Sequence, residues 1–338
     1  MSVSDYRYLG HSALKISPLT LGTMMFGGVT DEAVSRRIID SARDNGINSI
    51  DTADVYNGGL SETVVGKAIK AQRDYWVLAT KLANKVGSGA NQGGLSRKWI
   101  IEQVDHSLRR LGTDYIDILY FHRAIFGVRL EEPVRAVGDL IRQGKIRYFG
   151  ISNFRGWRIA ETCRIADILG MDRPIASQPL YNIVTRQAES EELPAAAHYG
   201  LGVISYSPLA RGVLTGKYRA DGVPEADSRA GRADKRLLET EWRPQSIEVA
   251  EKILSHVQER GISITDFAVA WVLGNRLVTS TIAGPRTESQ WASYLAARNV
   301  VLTKEDEEFI DSLVAPGHAS TPGFSDPGHP VEGRVIRS

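Results

Sequence analysis

Ile116-Asp117-Ile118-Leu119-Tyr120-Phe121-His122 is a short apolar run that ends in an ionisable side chain, and two earlier stretches repeat the arrangement. Trp76-Val77-Leu78-Ala79-Thr80-Lys81 ends in a lysine. Asn48-Ser49-Ile50-Asp51-Thr52-Ala53 carries an acid near its end, with Tyr56 just beyond. Runs of this length and composition read as buried strands. In a parallel barrel, residues that close the strands converge on one mouth, where the chemistry is done. Taken singly, the lysine is a solvated strand end, the histidine structural, the aspartate a helix cap and the tyrosine a loop aromatic. Their shared position after successive strands singles out Asp51, Tyr56, Lys81 and His122. An acid, an amine, an imidazole and a phenol held together can protonate a carbonyl oxygen as hydride reaches its carbon.

Outward from these runs the pattern continues. Expected strands cover 19–22, 48–52, 76–81, 116–122, 147–152, 175–178, 202–207 and 279–283. Between them apolar residues return at helical spacing, as Ile100, Val104, Leu108 and Leu111 do, and Val134, Val137 and Ile141. Ser96 and Thr30 stand where N-caps are expected, the latter followed by Asp31 and Glu32. Gly46, Gly112, Gly144, Gly170 and Gly200 stand where helices should end. Eight strands alternating with helices predict an α/β fold, a (β/α)8 TIM barrel spanning 1–338 as one domain. The alternative, an open doubly wound sheet, usually shows a glycine fingerprint after its first strand. Gly22-Thr23-Met24-Met25-Phe26-Gly27-Gly28 has the wrong spacing for it.

Three segments fall outside the repeat. Residues 6–17 hold a Gly-His-Ser turn between apolar runs and read as a hairpin plugging the far end of the barrel. The stretch 208–243 is rich in Gly, Arg and Asp, and a loop of that length is usually functional. The tail, 316–338, carries Pro316, Pro322, Pro327 and Pro330 and lacks periodicity. A frayed terminus and a segment folded over the barrel mouth are both open.

Composition narrows the partners. Hydrophobic residues make up 42% and charged residues 24%, as in ordinary globular proteins. A formal net charge of +1 argues against nucleic acid. The single cysteine, Cys163, lies in an apolar-periodic stretch and is expected as a buried thiol rather than a nucleophile. The first residues lack an apolar signal core, and no window approaches 18 consecutive apolar residues. No membrane partner and a cytoplasmic location are the expectation. Oligomeric state is not readable.

The chain resembles the aldo-keto reductases over nearly its whole length. The resemblance rests on Leu21-Gly22-Thr23-Met24, Ile50-Asp51-Thr52-Ala53-Asp54-Val55-Tyr56, Thr80-Lys81, Phe121-His122-Arg123, Gly150-Ile151-Ser152-Asn153-Phe154, Ser177-Gln178, Ser205-Tyr206-Ser207-Pro208-Leu209 and Ile282-Ala283-Gly284-Pro285-Arg286, in family order. In style it is similar to the longer bacterial branch, which includes relatives of the potassium-channel beta subunits.

The resemblance implies reversible NAD(P)H-dependent reduction of an aldehyde or ketone to an alcohol. Tyr56 is then the general acid, Lys81 its tuner, Asp51 the lysine's partner, and His122 the group that orients the substrate oxygen. A tyrosine has an ordinary pKa of about 10, and a neighbouring ammonium favours its phenolate. The implied cofactor is NADPH, with NADH a second candidate. Gly22, Thr23, Met24 and Asp51 would contact it. Ser152, Asn153 and Gln178 would bond the nicotinamide carboxamide, and Tyr206 would stack on the ring. Ser207, Leu209, Arg211, Gly212 and Lys217 would wrap the pyrophosphate. Gly284 and Arg286 precede an expected helix at 287–298, where Arg286 suits the 2′-phosphate and Gln290 should face the adenosine. Relatives commonly follow with Glu or Asp and then Asn; Ser293-Tyr294 stands there instead, so Tyr294 either stacks on the base or joins the core. The partner is a small carbonyl compound, contacted by Met25, Tyr56 and His122, with Phe26, Phe126 and Phe324 as further lining candidates; no metal is expected. Two other readings are a slow-turnover, cofactor-sensing regulatory subunit of the same fold, and a Schiff-base aldolase built on Lys81.

Overall fold

The structure, a computed structural model, describes residues 5–219, 222–226 and 228–331. A hairpin of β1 (Arg7–Tyr8) and β2 (Lys15–Ile16) comes first. Then follow β3 (Leu19–Gly22), α1 (Glu32–Asp44), β4 (Ser49–Asp51), α2 (Leu60–Ile69), β5 (Val77–Leu82), α3 (Arg97–Leu111), β6 (Ile116–Phe121) and α4 (Glu131–Arg142). The chain continues with β7 (Ile146–Ser152), α5 (Gly156–Leu169), β8 (Ala176–Gln178), α6 (Glu192–Tyr199) and β9 (Gly202–Ser205). After these come α7 (Lys235–Thr240), α8 (Pro244–Gln258), α9 (Ile264–Gly274), β10 (Ser280–Ala283), α10 (Glu288–Ala296) and α11 (Lys304–Leu313).

Strands β3 to β10 close into the expected parallel barrel, in the order β10-β3-β4-β5-β6-β7-β8-β9. Register sets the strand ends level: Gly22 pairs with Asp51, Lys81 with Tyr120 and Ser152 with Gln178. β4, β5 and β8 are buried at every position, as expected of parallel strands covered on both faces.

The chain divides into two compact units. The first is built from the described residues of Met1–Pro179, Glu191–Tyr206 and Asn275–Leu295, and contains the hairpin and the whole barrel. The second is built from those of Leu180–Ser190, Ser207–Gly274 and Ala296–Ser338.

In the first unit the hairpin sits at the N-terminal ends of the strands. Arg7 Nη1 donates to the Val278 carbonyl at 3.0 Å, just ahead of β10, and the His11 amide to Gly200 at 2.8 Å, ahead of β9. Its Leu9 and Ile16 pack with Val77, Ala79, Ile118, Tyr120, Ala176 and Ile204. Gly10 has φ +60°, and a Cβ there would stand 2.2 Å from the Gly200 carbonyl oxygen, so the turn requires glycine.

Helix ends follow local chemistry. Ser96 Oγ accepts from the Trp99 amide at 3.3 Å and caps α3. The cap of α1 is Asp31, not Thr30: Asp31 Oδ1 accepts from the Val34 amide at 2.8 Å. Thr30 is held one residue earlier by a bridge to Phe26, and its hydroxyl donates to the Arg286 carbonyl at 2.9 Å. Gly112, Gly170 and Gly200 end α3, α5 and α6 in the left-handed region. Cys163 is fully buried in α5, and burial pushes its thiol up to about 11.

In the second unit the long stretch after β9 is not structureless. It holds a 3-10 turn over Ala210–Thr215 and then α7. The tail is folded as far as 327. The Arg186 amide donates to the His318 carbonyl at 2.9 Å and the Ser320 amide to Val184 at 3.0 Å. Gln187 Nε2 donates to the Phe324 carbonyl at 2.8 Å, and the Arg243 guanidinium lies 3.9 Å from the centre of the Phe324 ring. Arg236 grips Asp326 at 3.0 and 2.7 Å. The frayed alternative therefore does not hold for 316–327; residues 332–338 lie outside the described residues. Among the described residues, no helix is long and apolar enough to cross a membrane.

Candidate active site

The strand ends bring the expected quartet together. Asp51 closes β4 and Lys81 lies one residue before the end of β5; both side chains are buried and form an ion pair. Lys81 Nζ also donates to the Thr52 carbonyl at 2.8 Å and to the Tyr56 hydroxyl at 3.2 Å. Burial opposes the Lys81 ammonium, but Asp51 and Tyr56 outweigh it and raise its pKa. Burial raises Asp51, against the pull of Lys81 and a hydrogen bond from Gln178. His122 follows β6, and its ring meets that of Tyr56 edge-on, centroids 5.9 Å apart at 82°.

The other side of the mouth is polar and tightly tied. Ser152 Oγ donates to the Gln178 carbonyl at 2.8 Å, and Gln178 Nε2 donates to Asp51 Oδ2 at 3.0 Å. Asn153 sits at φ +58°, an uncommon conformation outside glycine, best tolerated by asparagine. From there its Nδ2 donates to the His122 carbonyl at 2.9 Å and to Ser152 Oγ at 3.0 Å. Its Oδ1 accepts from the Tyr206 hydroxyl at 2.7 Å, which anchors the tip of that ring.

The remaining expected residues are placed as follows. Thr23 is buried, with Oγ1 donating to the Asp51 carbonyl at 2.9 Å, and Gly22 ends β3. Asn57 Nδ2 pins the turn at Met24 and Met25 through the Met24 and Phe26 carbonyls, at 2.9 and 2.8 Å. Phe26 is fully buried and Phe126 is 68% exposed, so Phe26 belongs to the core. Gly284 and Arg286 lead into α10. Gln290 Oε1 accepts from the Arg286 amide at 2.8 Å, so this side chain caps the turn that leads into the helix. Tyr294 is buried, which selects the core alternative for it. In the second unit Ser207, Arg211 and Gly212 all have positive φ, at 58°, 53° and 104°, while Leu209 is buried and Lys217 exposed. Asn182 Nδ2 holds the Ser207 carbonyl at 3.0 Å, and Arg211 Nε donates to Thr240 Oγ1 at 3.2 Å.

Two parts of the site were not anticipated. Asn84 Nδ2 lies 3.0 Å from His122 Nδ1. Behind Lys81 is a buried acidic cluster. Glu62 accepts from Thr80 Oγ1 and from Arg110 Nε, each at 2.6 Å. Asp54 accepts from Gln103 Nε2 at 2.8 Å, and burial pushes its carboxyl up to about 7. The Asp54 amide donates to the Lys81 carbonyl at 3.1 Å, so the cluster adjoins Lys81. Among the described residues, no group of His, Cys, Asp and Glu is arranged to hold a metal.

Comparison with known proteins agrees with this geometry. The model of the aldo/keto reductase family matches residues 18–315. A probable voltage-gated potassium channel subunit beta of Oryza sativa subsp. japonica is 37% identical over 318 residues, covering 92% of this chain and 96% of that protein. The uncharacterized oxidoreductase YrpG of Bacillus subtilis is 35% identical over 331 residues, 94% of this chain and 98% of that protein. A putative channel subunit beta of Schizosaccharomyces pombe is 37% identical over 318 residues, 91% and 89% respectively. With a barrel of this topology and a family match over most of its length, the chain belongs to the aldo/keto reductase family.

Proposed function

We propose that this protein reduces an aldehyde or ketone to the alcohol, reversibly, with NADPH as the preferred reductant and NADH also used. The observation that carries the reading is the chain Asp51–Lys81–Tyr56, in which a buried ammonium held by a buried carboxylate lies 3.2 Å from a phenol oxygen. The residues present suit the group. Ser152, Asn153 and Gln178 offer the mixed donors and acceptors that a carboxamide needs, and the Tyr206 ring is anchored at its hydroxyl. When bound, the reduced nicotinamide supplies the hydride that reaches the carbonyl carbon.

The chain's own residues manage the proton. Tyr56 donates its hydroxyl proton to the carbonyl oxygen as negative charge develops there. The Lys81 ammonium stabilises the phenolate that remains, and Asp51 keeps the ammonium in place. His122 orients the oxygen from the other side of Tyr56. A positioned proton donor of this kind supplies about 10²–10⁴-fold. In the oxidative direction the phenolate takes the alcohol proton back.

A second reading is favoured by the names of the plant and yeast relatives: a channel-associated subunit that turns over slowly. The complete quartet favours turnover. A panel of small aldehydes, aromatic aldehydes and ketones with NADPH and NADH, followed by loss of reduced-nicotinamide absorbance, tests the proposal. Oxidation with several carbonyls supports it; cofactor binding without turnover on any of them supports the regulatory reading. A cytoplasmic site of action is part of the same proposal.

A further inference from the structure

We propose that Asn84 is a positioning residue that places the imidazole proton of His122 on Nε2, making the ring a hydrogen-bond donor to the substrate oxygen. This rests on the carbonyl-reduction reading above. Asn84 Nδ2 lies 3.0 Å from His122 Nδ1. With the amide nitrogen turned toward the ring, Nδ1 accepts, and the one proton of the neutral ring is then on Nε2. A ring in this state donates a hydrogen bond from Nε2 and has its acceptor nitrogen already occupied. It can hold a carbonyl oxygen without competing with Tyr56 for the transferred proton.

The backbone around both residues is built for this contact. Ala83, between the end of β5 and Asn84, has φ +125°, which residues with a Cβ rarely adopt. Such a conformation persists where its surroundings enforce it, and it clusters at functional sites. Here the Ala83 carbonyl accepts from the Gly94 amide at 2.8 Å, which ties the bend to the far end of the following loop. His122 is fixed independently. Its amide donates to the Leu82 carbonyl at 2.8 Å, and its carbonyl accepts from Asn153 Nδ2 at 2.9 Å. The main chain of His122 is thus held by β5 and by Asn153, and Asn84 governs the ring. A carboxylate at position 84 would accept from Nδ1–H instead, and an apolar side chain would leave the tautomer unset.

The test uses the full-length protein labelled with 15N-histidine. Seven histidines are present, and the His122 signals are assigned by their loss in His122→Gln. In the wild type, Nδ1 should be unprotonated and Nε2 protonated. In Asn84→Leu both tautomers should appear, and kcat/KM should fall about 10–100-fold, the scale for removing a group that orients a functional histidine. NADPH affinity should stay unchanged, which also shows that the variant is folded. A wild-type proton on Nδ1 would overturn the proposal, as would wild-type kinetics in Asn84→Leu. Failure of the wild type to reduce any carbonyl would sink the reading of activity instead, while the wild-type tautomer still decides the role of Asn84.

Discussion

Gln178 Nε2 donates to Asp51 Oδ2 across the barrel, 3.0 Å away, although β8 and β4 lie four strands apart in a ring of eight. The carboxylate that holds Lys81 is therefore itself held from the opposite wall. Removing that support leaves one oxygen of a buried carboxylate without its amide donor, a loss of roughly 1–3 kcal/mol. Gln178→Leu is expected to lower the urea midpoint accordingly and to reduce kcat, because Lys81 loses its fixed position. Unchanged stability and unchanged kcat together would show that Asp51 needs no partner besides Lys81.

We propose that cofactor choice turns on Arg286. It stands just before α10, with its carbonyl bonded to Thr30 and its amide to Gln290. Those backbone contacts survive truncation of the side chain. Arg286→Ala is expected to weaken NADPH by about 1.5–3 kcal/mol, the scale of a charged hydrogen bond, and NADH far less. Equal losses in fluorescence titrations with the two cofactors would place Arg286 on a group that both share.

The Asp54 carboxyl gives a pH signature. Burial pushes it up to about 7, above an ordinary value near 4. A folded state that holds a proton the unfolded state releases has its full contribution below about pH 4, and loses it as pH rises through about 7. Asp54→Asn keeps an oxygen for Gln103 but carries no charge. The variant should therefore gain stability relative to wild type as pH rises from 5 to 8, by up to about a few kcal/mol, read as a growing difference in Tm. Glu192, pushed to about 7 by its own burial, contributes the same slope to both proteins. A Tm difference that stays constant over this range contradicts the assignment.

Much of this was legible in the sequence. β3 and α3 coincide with the runs read for them, because their apolar spacing and the cap at Ser96 act locally. The quartet was legible for a similar reason: strand ends are set by where apolar runs stop. The α1 cap was misplaced by one residue because Thr30 is claimed by Arg286, more than two hundred residues away. Asn84 was invisible because its aim depends on the positive φ of Ala83, and nothing about an alanine announces that. Nothing in the sequence pattern marks Asp54 and Glu62 as interior acids; only the fold brings Gln103 to Asp54, and Thr80 and Arg110 to Glu62.

The tail makes a prediction of its own. Truncation after Ala315 removes the acceptors of the Arg186 amide and Gln187, the ring beneath Arg243 and the partner of Arg236. Thermal stability should fall. An unchanged Tm in the truncated protein would show that these contacts contribute nothing measurable to its stability.

The central claim is that Tyr56 is the proton donor, and Tyr56→Phe tests it most directly. The variant keeps the ring that meets His122 and removes the hydroxyl that Lys81 contacts at 3.2 Å. Turnover on carbonyls that the wild type reduces well should drop by more than about 100-fold, with NADPH still bound at wild-type affinity. Wild-type turnover in Tyr56→Phe across those substrates would contradict the account.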